Sequence, residues 1–357
     1  MLTPFDTYRL VAAILGDVPP IRDSLRTGVD YITAHDAWPA VIELSSHHMV
    51  TTQLAYHLDC DDWRGVGEEE RTYLAGILAS NADRNGQMLA QLHEVVGLLN
   101  QAGIQPLALK GTARLLHGLY PHMGYRLQLD IDLLVQPGEE QPSSDALVAA
   151  GYAFADSNRD GGNLLLQPVT GASLPGLHAR YRTHHHLPPL VRDGEPASVE
   201  LHRHPYSRQF SAKRPLAEIL GRADLHEGDL AYRTLSLDDE LEHLVFHGYV
   251  GPACRTSRLL PLRLLADYVD LIARAKENPH WKRLERTFLE DADCREFSRL
   301  VSLLASERGV DASDRYLRSF ESAINNPATA RRYGLLGKLR RFAGTLRYNP
   351  ASLRGRL

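Results

Sequence analysis

The stretch "LALKGTARLLHGLYPHMGYRLQLDIDLLV", residues 107–135, decides how this 357-residue chain is read. It opens on an apolar run broken by Lys110 against Gly111 and closes on an apolar run broken by Asp130 and Asp132. Charged groups are costly inside segments of core character, so each needs a partner or a task. Residues alternate across a strand, so "LQLDIDLLV" places Leu127, Leu129, Ile131 and Leu133 on one face and Asp130 with Asp132 on the other. At ~3.4 Å of rise per residue the two carboxylates stand about 7 Å apart and repel unless cations lie nearby. Such a pair suits Mg²⁺, a hard cation that takes oxygen ligands and substrate phosphates. The same triplet also suits the solvated face of an edge strand.

Three neighbours favour the metal. Lys110 is one of only five lysines against 35 arginines, and it ends an apolar strand that passes through Gly111 and Thr112 into a helix. Glycine permits close backbone approach to a ligand, and helix-start amides favour anions, although Thr112 also fits a plain cap. Arg126 offers a rigid donor fork four residues before Asp130. Glu200, in "SVELHRH", sits on what should be an adjacent strand, where a carboxylate completes a trio and can accept a proton from an attacking hydroxyl.

Around this centre the chain divides. Residues 1–66 read as short helices. "EEERTYLAGILASNADRNGQMLAQLHEVVGLLNQAG" reads as one long amphipathic helix with acids in its first turn and Gly103 to stop it. It leads an α/β core that extends to residue 205. In that core "IQPLALKG" and "LQLDIDLLVQP" are strands, "SSDALVAAGY" is a serine-capped helix, and "HHHLPPLV" and "ASVELHRH" are extended runs around the turn "RDGEP". "ADSNRDGGNLLLQPVTGASLPG" reads as a mobile loop with one strand inside. Residues 206–330 return to helices, including "DDELEHLVFHGYVG" and "LLPLRLLADYVDLIARAK", and 331–357 form a basic tail with eight basic residues and no acid. The first 330 residues thus balance 32 basic residues against 44 acidic ones.

A hydrophobic content of 43% and charged content of 24% are those of a folded globular protein, which excludes disorder as the default. Cys60, Cys254 and Cys294 are too scattered for a disulfide framework or zinc cluster and read as reduced thiols, which favours the cytoplasm. The first twenty residues do not resemble a signal peptide, and no apolar run reaches the ~20 residues of a membrane span. His184, His185 and His186, with His202 and His204, raise a transition-metal site; the preferred reading is that one or two of them, His186 first, face a nucleotide or acceptor beside Arg180 or Arg182. His243 and His247 share a helix face and read as partly buried packing residues.

The order of helix, strand, "LKG", short helix, "DIDLLV" and a distal "VELH" resembles an uncharacterised bacterial nucleotidyltransferase-like family within the DNA-polymerase-beta-type superfamily, most clearly over residues 70–205. The chain departs from the superfamily's strand-then-Gly-Ser signature by carrying Lys-Gly-Thr, with 19 positions between Gly111 and Asp130. The resemblance implies an α+β fold, with a polymerase-beta-like core of small mixed sheet and helices between helical segments. It implies attack of an acceptor hydroxyl on the α-phosphate of a nucleoside triphosphate, ATP among them. Asp130 and Asp132 would hold two Mg²⁺ ions, Glu200 would share one and act as base, and Lys110, Gly111, Thr112, Arg126 and His186 would face the nucleotide. The acceptor is open between small molecule, saccharide, protein and, ranked lower, RNA; no basic, aromatic-interleaved surface of the nucleic-acid kind is present. Phosphoryl transfer from the γ-phosphate and a non-catalytic nucleotide-binding role are the rival readings. An Asp132→Asn change is expected to abolish turnover with little loss of stability, because it removes carboxylate repulsion.

Overall fold

The computed structural model describes residues 7–8, 10–11, 14–15, 23–160, 163–169, 181, 184–248 and 261–274. Arg180, Arg182, Cys254, Cys294, the helices expected after residue 280 and the basic tail lie outside the described residues.

Helices α1 (Asp23–Ala34), α2 (Trp38–His47) and α3 (Thr51–Asp59) precede α4 (Glu68–Gln101), whose 34 residues span about 50 Å at 1.5 Å per residue. The expected acids stand in its first turn, and Gly103, at φ +78°, follows its end. The α4 stripe serves two cores. Leu74 and Leu78 pack with Trp38, Leu54 and Leu58 of the preceding helices, while Met88, Leu92, Val95, Val96 and Leu99 cover the sheet. Its buried polar residues grip the irregular chain ahead of the aspartates. Asn81 donates to the carbonyls of Gly124 (2.8 Å) and Arg126 (3.1 Å), and Asn85 donates to those of Met123 (2.7 Å) and Arg126 (2.8 Å). Gly124 is pressed against the α4 backbone at Leu78, where a side chain has no room.

Beyond α4 run β1 (Leu107–Ala108), α5 (Lys110–Leu116), β2 (Asp130–Leu134), α6 (Glu140–Ala149), β3 (Ala153–Asp160), β4 (Asn163–Pro168), β5 (Leu190–Val191) and β6 (Ser198–His202). After these come α7 (Arg208–Ser211), α8 (Leu216–Arg222), β7 (Asp224–His226), β8 (Tyr232–Thr234), α9 (Leu237–Gly248) and α10 (Leu262–Arg274). The strands form one mixed sheet in the order β4-β3-β5-β6-β2-β1-β8-β7. β2 pairs parallel with β6 and antiparallel with β1, and β1 pairs parallel with β8. Ile131, Leu133, Val199 and Leu201 are fully buried in the α4 core.

Four expectations change. The aspartate strand begins at Asp130, so Leu127 and Leu129 lie ahead of it, and Leu129 is 48% exposed rather than core. The segment read as a mobile loop with one strand inside contributes two paired strands, β3 and β4, matched from Asp160↔Asn163 to Ala155↔Pro168, and its residues 161–162 and 170–176 lie outside the described residues. The helix expected to start at a serine cap begins at Glu140, with Ser143 and Ser144 buried inside it. The sheet also continues past residue 205, because β8 pairs with β1 and carries the strand count into the region read as purely helical. No helix among the described residues is long and apolar enough to cross a membrane.

Candidate active site

The parallel register of β2 and β6 sets Asp132 opposite Glu200 and Asp130 opposite Ser198. Alternation along the strands then puts Asp130, Asp132 and Glu200 on the face away from α4. β1 lies on the other side of β2, where the Leu109 amide donates to the Asp132 carbonyl at 3.1 Å, and the chain turns sharply at the next residue. Lys110 takes φ +54°, a left-handed conformation that a lysine adopts at a cost on the order of 1 kcal/mol. The turn aims its ammonium at Asp132 Oδ1, 2.7 Å away. Thr112 is buried, and instead of capping α5 its hydroxyl accepts the Asp132 amide at 2.9 Å. The LKGT segment therefore fixes the aspartate from two directions.

Asp132 is 1% exposed and shares Oδ1 between Lys110 and His202, whose Nε2–H donates at 2.8 Å. That bond leaves the His202 Nδ1 without a hydrogen-bond partner, and the other Asp132 oxygen, Oδ2, has none either. Burial works against the Asp132 charge, but Lys110 and then His202 outweigh it and hold the carboxyl well below the usual range. Asp130 is driven the other way, first by burial and then by the Asp132 charge. Glu200 is pushed up to about 8 by burial and by both aspartates, and so binds a proton at neutral pH. Burial opposes the Lys110 charge too, yet the three carboxylates raise it above its ordinary value. One ionised acid, two reluctant ones and a single ammonium make a site short of positive charge.

Fit to a divalent ion can be judged from these donors. Oxygens of Asp132 and Glu200 with a nitrogen of His202 lie within 4.8 Å of one another, Asp132 Oδ2 is buried without a partner, and Asp130 adds a carboxylate on the same face. Carboxylate oxygens that repel one another when empty are what a hard cation stabilises, so Asp130, Asp132 and Glu200 fit Mg²⁺.

Two site expectations find other surroundings. Arg126 is buried and donates to both carboxylate oxygens of Asp267 on α10, and to Gln128. A phosphate would have to draw it away from Asp267. A side chain at Gly111 would meet the ends of Arg126 and Gln128, so those two ends would have to shift to admit it. His186 stands near the site, with Nε2 3.8 Å from Glu200 Oε2. His243 is buried on α9 with Nε2 unpartnered, and burial followed by Lys110 pushes it down to about 3.

Sequence reasoning missed Arg84, whereas Arg263 belongs to the Arg-rich stretch "CRTSRLLPLRLL", which reads equally as the border of an acceptor channel or as a solvated face. Arg84 donates to the Gln128 and Pro196 carbonyls, and Arg263 to the Leu127 carbonyl at 2.9 Å, so both guanidiniums brace the approach to Asp130. Arg84 sits on the buried side of the α4 stripe, three residues from Asn81 and one from Asn85, and that polar interruption was its signal.

The model of an uncharacterised nucleotidyltransferase family matches residues 34–308. The chain belongs to that family. Its α+β architecture, a mixed sheet in helical surroundings, is of the nucleotidyltransferase type. The match covers the whole sheet and reaches through α9 and α10, so these C-terminal helices are part of the family unit. No curated protein and no solved structure matched the chain.

Proposed function

We propose that this family member transfers a nucleoside monophosphate from a nucleoside triphosphate to an acceptor hydroxyl, using Mg²⁺ held by Asp130, Asp132 and Glu200. The observation that carries this reading is the parallel register that stands Asp132 beside Glu200, with the Lys110 ammonium on the same carboxylate. Bound Mg²⁺ would supply charge neutralisation at the phosphates and bring Glu200 into its ionised form at neutral pH.

The residues of the chain divide the remaining work. Lys110, which pairs with Asp132 in the metal-free site, is the nearest ammonium for a phosphate oxygen. Thr112 holds the Asp132 backbone in register, and the left-handed turn at Lys110 sets the ammonium's direction. His202 orients Asp132 through its Nε2–H. Glu200 takes the proton of the attacking hydroxyl as its oxygen bonds to the α-phosphorus and the bond to pyrophosphate breaks. His186 lies beside Glu200, where a nucleotide or acceptor would pass. Catalysis of this kind is mainly positioning and charge neutralisation, which clustered acids with a neighbouring ammonium provide.

The test is calorimetric titration of each of the four ribonucleoside triphosphates, with Mg²⁺ or with EDTA, into wild type and Asp130→Asn. Binding that needs both Mg²⁺ and Asp130 is expected. Transfer of label from α-labelled but not γ-labelled nucleotide to an acceptor then separates nucleotidyl from phosphoryl transfer. Equal binding by the variant, or binding unaffected by EDTA, would overturn the assignment.

A further inference from the structure

His184, His185 and His186 are three consecutive imidazoles that the proposed reaction uses only in part. Their rings gather instead of splaying: centroids stand 4.0 Å apart for His184 and His186, 4.7 Å for His184 and His185, and 5.0 Å for His185 and His186. One nitrogen from each lies within 4.8 Å of the others. The pairs are stacked (His184 with His185) or edge-to-face (His186 with each of the others), so the rings also attract one another weakly, but an alternating strand would point His185 away from its neighbours, whereas here all three converge.

The backbone beneath them is fixed. Leu187 donates to the Leu201 carbonyl at 2.8 Å, the Arg203 amide donates to the His185 carbonyl at 2.8 Å, and His186 bridges to His202 across β6. His184 is tied back to the Tyr181 carbonyl at 3.1 Å. One tautomer is fixed as well. His186 Nδ1–H donates to the Leu187 carbonyl at 2.6 Å, leaving the Nε2 lone pair free, which is the outer hydrogen bond that metal-bound histidines use.

We propose that His184, His185 and His186 form a second metal site, for an imidazole-seeking transition ion of the Zn²⁺ type, beside the carboxylate site. The donor chemistry separates the two: nitrogen ligands select zinc-like ions, and carboxylates with phosphates select Mg²⁺. At zinc–nitrogen bonds of about 2.0–2.1 Å, tetrahedral ligand atoms stand about 3.4 Å apart, so the rings would draw together from their present spacing around a bound ion. Three protein ligands would leave one position for water or substrate, and His186 Nε2 lies 3.8 Å from Glu200 Oε2, so the histidine cluster adjoins the proposed base. The inference does not depend on nucleotidyl transfer.

The test uses the full-length protein stripped with a chelator, then titrated with Zn²⁺ by calorimetry and with Co²⁺ by visible absorption. Wild type and Asp130→Asn should each bind one zinc, with the intense visible band of tetrahedral cobalt. His184→Ala, at an exposed ring that the fold does not need, and His185→Ala should weaken zinc binding at least tenfold while keeping the wild-type melting temperature. No stoichiometric zinc in wild type would overturn the proposal. So would zinc that survives both histidine variants and is lost in Glu200→Gln, because the ion would then sit on the carboxylates.

Discussion

Arg126 and Asp267 stand 141 residues apart in the chain and face each other at 2.8–3.1 Å, the guanidinium of one bonded to both carboxylate oxygens of the other. Asp267 also takes Arg114 of α5 at 3.1 Å, and Arg114 reaches Glu240 of α9 at 2.9 Å. Burial opposes the Asp267 charge, but Arg126 and Arg114 hold it down to about 2. The network fastens α9 and α10 to the segment that carries the aspartate strand. Asp267→Ala leaves two buried guanidiniums short of a carboxylate, which should cost about 3–5 kcal/mol in chemical denaturation. A variant of wild-type stability would show that the C-terminal helices are held by apolar contacts alone.

How far the site could be read before the fold follows from range. Asp130, Asp132 and Glu200 were legible because a polar residue breaking an apolar strand is a local signal, and the turn "RDGEP" implied that Glu200 lay on a neighbouring strand. Asp267 was not legible: on an amphipathic helix an acid reads as solvated, and only the folded chain brings it to Arg126. The short strands β7 and β8 were missed because three residues carry too little alternation to register. Asn81 and Asn85 lie within the apolar stripe of α4, yet their purpose, holding the chain of residues 123–126, exists only once that chain has been placed.

Asp132→Asn should reduce stability, contrary to what carboxylate repulsion alone suggests. The carboxylate is the fully buried partner of both Lys110 and His202, and a neutral amide leaves the ammonium poorly compensated. The expected loss is about 1–3 kcal/mol. Asp130→Asn should differ: among the described residues its carboxylate has no hydrogen bond, and burial with the Asp132 charge already disfavours ionisation. Thermal unfolding without metal should place Asp130→Asn at or slightly above wild type and Asp132→Asn below both. The reverse order would mean that repulsion dominates the metal-free site.

Glu200 gives a pH dependence whose sign follows from its raised value. Its ordinary value is 4.5 and its folded value about 8, so between these the folded state holds a proton that the unfolded state has released. Stability from this group is complete below about pH 4.5 and is lost as pH rises through about 8. Glu200→Gln removes the loss. It should therefore exceed wild type at pH 8.5 by on the order of 2 kcal/mol, about 4 °C in Tm, and match it near pH 4.5. Saturating Mg²⁺ should close the gap by neutralising the wild-type carboxylates. A gap that is the same at both pH values would assign the effect to packing.

Gly111 separates a structural glycine from a ligand-binding one. A methyl group there meets the ends of Arg126 and Gln128, and Arg126 cannot retreat without leaving Asp267. Gly111→Ala favours the helix intrinsically by up to about 1 kcal/mol, yet crowding should outweigh this and produce a net loss of about 1–3 kcal/mol. Gln128→Ala opens the same space, so the Gly111→Ala, Gln128→Ala double variant should recover part of the loss, a coupling that a double-mutant cycle reads directly. If Gly111→Ala keeps full stability and loses only Mg²⁺-dependent nucleotide binding, the glycine is there to let a phosphate approach. If stability falls and the Gln128 change restores it, Gly111 acts through Arg126, and the ammonium of Lys110 is left as the cation through which this loop meets the nucleotide.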